Sequence, residues 1–187
     1  QPVKTWKKRL APEKNPVIAS AAMIALARAD AQSCASILQK AMTFKYGDLK
    51  DRQQRLDLLR SITLALTRGG QPEKNLKSEL IGWLDRIYPA DTPEENRDIS
   101  AIMQFLQAPS AVTKGLALLR GASGQEEQIG YALNLRHLKT GWTSLQRETY
   151  FKWFVRSGDF KGGARLSNYL DGIKKDAIAT VEPRQMT

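Results

Sequence analysis

The chain has 187 residues, of which 42% are hydrophobic and 26% are charged. These values are typical of one globular domain or one compact repeat array that buries a core. They exclude a membrane-spanning helix, because even the most apolar stretch, "PVIASAAMIALARA" at 16–29, falls short of the roughly 18 to 20 residues that a span requires. Because the chain begins with Gln-Pro and not Met, we expect a fragment of a larger multidomain protein.

The charge of the chain is strongly positive, with a formal net charge of +10 and an isoelectric point of about 9.8. A basic surface attracts nucleic acid or another polyanion through counterion release. Here the basic residues are scattered in ones and twos among acids, as in "DLKDRQQRLDLLR" at 48–60, which favours an ordinary solvated surface. Binding of a polyanion, either nucleic acid or an acidic polysaccharide, therefore stays open as an alternative.

Helical periodicity recurs along the chain, whereas strand signals are nearly absent. Asn15-Pro16 predicts a helix start, Asp30 can cap the next helix, and Gly69-Gly70 ends a third. Thr92-Pro93 followed by two glutamates predicts another helix start, with a capping residue, a proline at the first helical position and acids in the first turn. About nine helices are predicted, within 16–29, 31–44, 50–68, 72–89, 92–109, 110–120, 125–139, 144–156 and 164–181.

Short connections between helices make successive helices antiparallel. Helix pairs restart every 30 to 45 residues or so, which is the spacing of HEAT and armadillo repeats. We therefore predict an all-α fold, a right-handed α-solenoid of antiparallel helix pairs that forms a single domain over 1–187. A compact helical bundle is the alternative architecture.

Residues suited to catalysis or metal binding are few. The single cysteine, Cys34, excludes an internal disulfide or a Cys-based metal site in these residues, and we expect a buried thiol on a helix. The single histidine, His137, is expected to be structural or to face solvent. Glu126 and Glu127 are explained as first-turn acids that favour a helix N-terminus. We predict no catalytic residue, metal ligand or cofactor.

The aromatic residues concentrate between 131 and 163. Tyr150, Phe151, Phe154 and Leu145 fall at helical steps and predict a core stripe, and Trp142 is expected to fill the space between two helices. Gly162-Gly163 predicts a tight turn, and glycine would allow its left-handed form. In the polyanion alternative, these two glycines would expose backbone N–H groups beside the candidate anion-binding residues Lys161, Arg165 and Lys174.

The segment from Glu126 to Val181 resembles the HEAT-like helical region of the large planctomycete and verrucomicrobial (PVC-type) haem-binding proteins. The resemblance covers the last third of the chain well, residues 99–119 less closely, and residues 1–90 only in general helical character. Its motif consists of Gly141, Trp142, Thr143, Arg147, Tyr150, Phe151, Trp153, Phe154, Gly162, Gly163, Ile173, Asp176 and Ala177.

In that family the helical array adjoins a cytochrome c domain, often with a dehydrogenase domain, and the proteins are exported. The resemblance implies a non-catalytic scaffold that docks neighbouring domains, in the periplasm or otherwise outside the cytoplasm. The chain lacks the Cys-x-x-Cys-His motif that attaches haem, so any electron transfer would belong to other domains. A third alternative is a HEAT-like DNA glycosylase, in which Trp142, Arg147 and Asp159 would line a basic groove.

Overall fold

The helices of the computed structural model, which describes residues 3–181, account for most of the chain. No β-strand occurs between residues 3 and 181, so the all-α prediction is confirmed. The ten α-helices are α1 (Val3–Leu10), α2 (Pro16–Ala29), α3 (Cys34–Met42), α4 (Arg52–Gly69), α5 (Lys74–Ile87), α6 (Pro93–Phe105), α7 (Ser110–Gly121), α8 (Gln125–Leu135), α9 (Ser144–Ser157) and α10 (Leu166–Ile178).

The helix count of nine was one too low, because α1 was not predicted. Its sequence, "VKTWKKRL", is short and strongly basic, and it buries only Leu10. Several boundaries also differ by two to four residues. Among them, Asp30 caps a 3₁₀ turn, Ala31–Ser33, before α3 begins, and α8 ends at Leu135, four residues before the predicted position. The first turn replaces the predicted start of an α-helix, and the turn after Leu135 replaces the predicted end of another.

The chain divides by its contacts into two compact units, Gln1–Ile102 and Met103–Thr187. In the first unit, α2 and α3 pack against α4, and α1 packs against α2. The buried core of this unit is aliphatic and includes Met23, Leu26, Ile37, Leu38, Leu58, Leu59, Ile62, Leu80 and Leu84. Cys34 is buried there, as predicted, and burial raises the pKa of its thiol.

One buried ion pair connects α4 to α6 within the first unit. The Glu95 side chain is completely buried, and its Oε1 accepts a hydrogen bond from Arg55 Nε. Arg55 Nη1 also donates to the carbonyl of Leu49 at 2.7 Å. Glu95 was predicted as a first-turn acid, and it has the additional structural role of neutralising a partly buried arginine.

The second unit contains α7 to α10, with α8 packed against α7 and α10, and α9 against α7 and α10. Its core is more aromatic than that of the first unit and includes Tyr131, Leu135, Leu138, Tyr150, Trp153, Phe154, Leu170 and Ile173. The motif from Gly141 to Ala177 lies entirely in this unit. No helix among residues 3–181 is long and apolar enough to cross a membrane.

Candidate functional site

The start of α9 is fixed by a complete capping box. The Thr143 side chain accepts a hydrogen bond from the backbone N–H of Gln146, and the Gln146 side chain accepts one from the backbone N–H of Thr143. Gln146 Nε2 also donates to Thr113 Oγ1 on α7 at 2.9 Å. These contacts set the rotation of α9 and therefore the face that it buries.

That buried face consists of Arg147, Tyr150, Trp153, Phe154 and Ser157. Tyr150 lies at the centre of an aromatic cluster, with its ring centroid 5.3 Å from that of Trp142 and 5.1 Å from that of Phe154. Phe151 contacts Tyr150 and Phe154 from a half-buried position. The predicted core stripe is thus present, but Leu145 was wrongly included, since its side chain is 72% exposed.

The polar atoms of these rings are used for contacts inside the protein. Tyr150 Oη donates to the carbonyl of Ala132 at 2.6 Å, and Trp153 Nε1 donates to Gln128 Oε1 at 2.9 Å. Trp142 Nε1 donates to the carbonyl of Leu138 at 2.8 Å. Burial raises the pKa of the Tyr150 hydroxyl far above its ordinary value, so this group stays protonated and keeps donating. The cluster joins α8 to α9.

Arg147 is the unusual member of the cluster, because it is a buried cation that contacts no carboxylate in the described residues. Its Nη1 donates to Thr180 Oγ1 at 3.0 Å, and its Nη2 donates to the carbonyls of Thr180 and Leu138. The guanidinium carbon lies 4.2 Å from the ring centroid of Trp142, in cation–π geometry. Burial lowers the pKa of this guanidinium. Arg147 therefore connects α9 to the end of α10 and to the turn that precedes α9.

That turn depends on Gly141, which has a φ of 85°. A Cβ atom at this position would lie 2.3 Å from the carbonyl oxygen of Pro109, a backbone atom that cannot easily move. The side chain of Gln107 holds the same turn from the other side, since it donates to the carbonyl of His137 and accepts from the backbone N–H of Lys139. Only glycine fits the position that places Trp142.

Gly162 and Gly163 were expected to form a tight turn, and the left-handed form of it does not occur, because neither has a positive φ. A Cβ atom at Gly162 would instead meet the Leu166 side chain at 2.6 Å, whereas Gly163 has open space around it. Both glycines line a groove of about 330 Å³ between the end of α9 and α10. Phe154, Phe160, Leu166 and Leu170 form its apolar part. Gly162 thus makes room for close packing of the Leu166 side chain, whereas Gly163 does not.

The three candidate anion-binding residues have different positions in this region. Lys174 lines the groove, but Asp171 lines it as well and offsets its charge. The backbone N–H and carbonyl of Lys161 are both hydrogen-bonded to the side chain of Gln125. Arg165 is exposed and precedes the first residue of α10. Of the three, only Lys174 lines the groove.

The residues of the glycosylase alternative are also separated. Arg147 lies in the first turns of α9, whereas Asp159 lies beyond its last residue, Ser157. The rise of the helix from residue to residue places Arg147 and Ser157 about 15 Å apart along the axis of α9. Trp142 stacks on Arg147, but Asp159 is in an exposed loop at the other end. The structure does not bring these three residues together.

His137 lies just after α8, near an ion pair. Its Nε2 is 3.8 Å from Asp176 Oδ2, which also accepts a hydrogen bond from Arg136 Nε at 3.0 Å. Burial and the neighbouring Arg136 lower the pKa of the imidazole, although Asp176 acts in the opposite direction. The histidine was expected to be structural or to face solvent, and its side chain is 44% exposed.

The described part of the chain contains no group of three or more His, Cys, Asp or Glu residues that could hold a metal ion. Comparison of the chain with protein-family models, curated proteins and solved structures finds no match. The contacts of Gln107, Gln125, Gln128 and Thr180 were not predicted from the sequence. An amide or hydroxyl side chain carries no periodic signal of its own, so nothing in the sequence pattern distinguishes these four from surface residues.

Proposed function

We propose that this chain is a non-catalytic helical-repeat scaffold, built as an α-solenoid of HEAT-like helix pairs, that docks neighbouring domains of an exported haem-binding protein. The observation that supports it is the use of the motif residues. Trp142, Tyr150 and Trp153 donate from their ring polar atoms to backbone or amide groups of α8 and of the turn before α9. Arg147 donates to the hydroxyl and carbonyl of Thr180, just after α10, and to the carbonyl of Leu138. Side chains engaged in this way hold helices in a fixed arrangement, as a docking platform requires.

The haem-protein context and the export of the parent protein rest on the resemblance of residues 126–181 to the PVC-type family. In this proposal, the cytochrome and dehydrogenase chemistry belongs to the neighbouring domains. The present residues contribute rigid surfaces, and their partners are those domains or another protein. Repeat arrays are suited to this role because each helix pair packs on the next and leaves an extended surface free.

The proposal is tested by immunoblotting native cell fractions with an antibody raised against this chain and staining the same denaturing gel for haem. Covalently attached haem stays with its polypeptide in such a gel, whereas non-covalent haem is lost. We expect a band much larger than the 20.9 kDa of this chain, positive for haem and in an exported fraction. A haem-negative band of the size of this chain in the cytoplasm would contradict the proposal.

A further inference from the structure

We draw no further inference here: the strongest candidate, the apolar groove of about 350 Å³ between α1 and α2, gives no indication of a partner, because its lining contains one cation, Arg9, and one acid, Glu13, and nothing in the structure shows what covers it.

Discussion

Trp153 and Phe154 carry much of the packing in the second unit. Trp153 is 2% exposed, and Phe154 contacts both Trp153 and Tyr150 edge to face. We expect Trp153→Ala or Phe154→Ala to lower the free energy of unfolding by roughly 3 to 5 kcal/mol, through lost burial and the cavity that remains. Urea unfolding followed by circular dichroism measures this loss.

Val155→Ala is the control for these variants, because Val155 follows directly in α9 and is 78% exposed. Its effect should stay within about 0.5 kcal/mol, as is usual for surface positions. If Trp153→Ala and Phe154→Ala were as stable as the control, these aromatic side chains would not form a core. They would then be free to act as a binding platform.

His137 allows a direct test of the electrostatics beside α8. Burial and Arg136 lower its pKa from 6.5, so the unfolded chain takes up the proton first as the pH falls. The contribution of neutral His137 to stability is therefore complete above the unfolded pKa and is lost as the pH falls through the lower folded pKa. Because His137 is the only histidine, its Cε1–H proton resonance reports the folded pKa without ambiguity.

We expect that resonance to titrate below pH 6.5. Asp176→Asn should lower the midpoint further, because Asp176 is the group that raises the pKa of His137. A midpoint above that of a model histidine would mean that the carboxylate at 3.8 Å outweighs both burial and Arg136.

At the scale of the element, the helices with strong start signals were predicted well. Asn15 caps α2 as expected, with its side chain accepting from the backbone N–H groups of Val17 and Ile18, and α6 begins at Pro93. The structure differs where a tertiary contact decides the local conformation. Arg147 occupies the buried face of α9, and Leu145 points to solvent, although hydrophobicity favours the opposite arrangement. The carbonyls of Leu138 and Thr180 accept hydrogen bonds from the buried arginine and offset part of the cost of its burial. No sequence pattern in α9 predicts these acceptors.

The turn before α9 gives a prediction that separates two glycines of the motif. Gly141→Ala would need an unfavourable positive φ and would bring Cβ against the Pro109 carbonyl, so we expect a loss of at least about 2 kcal/mol. Gly163→Ala meets open space without a positive φ, and we expect little change or a gain of up to about 1 kcal/mol.

Thermal unfolding of both glycine variants measures the difference. The near-ultraviolet circular dichroism, to which all four tryptophans contribute, should change in Gly141→Ala, because this glycine positions the Trp142 ring over Arg147. Equal stabilities for the two variants would show that the turn before α9 does not require a left-handed residue.

At the scale of the whole molecule, the sequence predicted the helical class and the aromatic core, but it predicted neither buried Arg147 nor the groove beside α2. The composition of α2 was visible in the sequence, and it indicated a buried helix. What it could not indicate is which side of α2 the neighbouring helices cover, since coverage depends on packing between elements distant in sequence. This groove, lined by Trp6 and Leu10 of α1 and by Ile18, Ala22 and Ala25 of α2, appears only when α1, the helix that was not predicted, is placed against α2.

The division of the contacts at Ile102 and Met103 leads to a prediction about cooperativity. In a repeat array, each unit contributes its own stability together with that of its interface with the next, so a local defect need not weaken the whole chain equally. Native-state hydrogen exchange can detect this difference residue by residue. The two variants to compare are Trp153→Ala in the second unit and Leu59→Ala, a completely buried residue of α4, in the first.

We expect Trp153→Ala to accelerate exchange of the slowest amides in α7 to α10 by about a hundredfold, as a loss of roughly 3 kcal/mol implies. The slowest amides of α2 to α5 should change less than tenfold in this variant, and Leu59→Ala should give the reverse pattern. Amides of α6 are left out of the comparison, because this helix contains the boundary between the units. If either variant accelerated all slow amides equally, the chain would unfold as one cooperative core. Stability would then be a property of the whole molecule, and the proposed α-solenoid would lose its support.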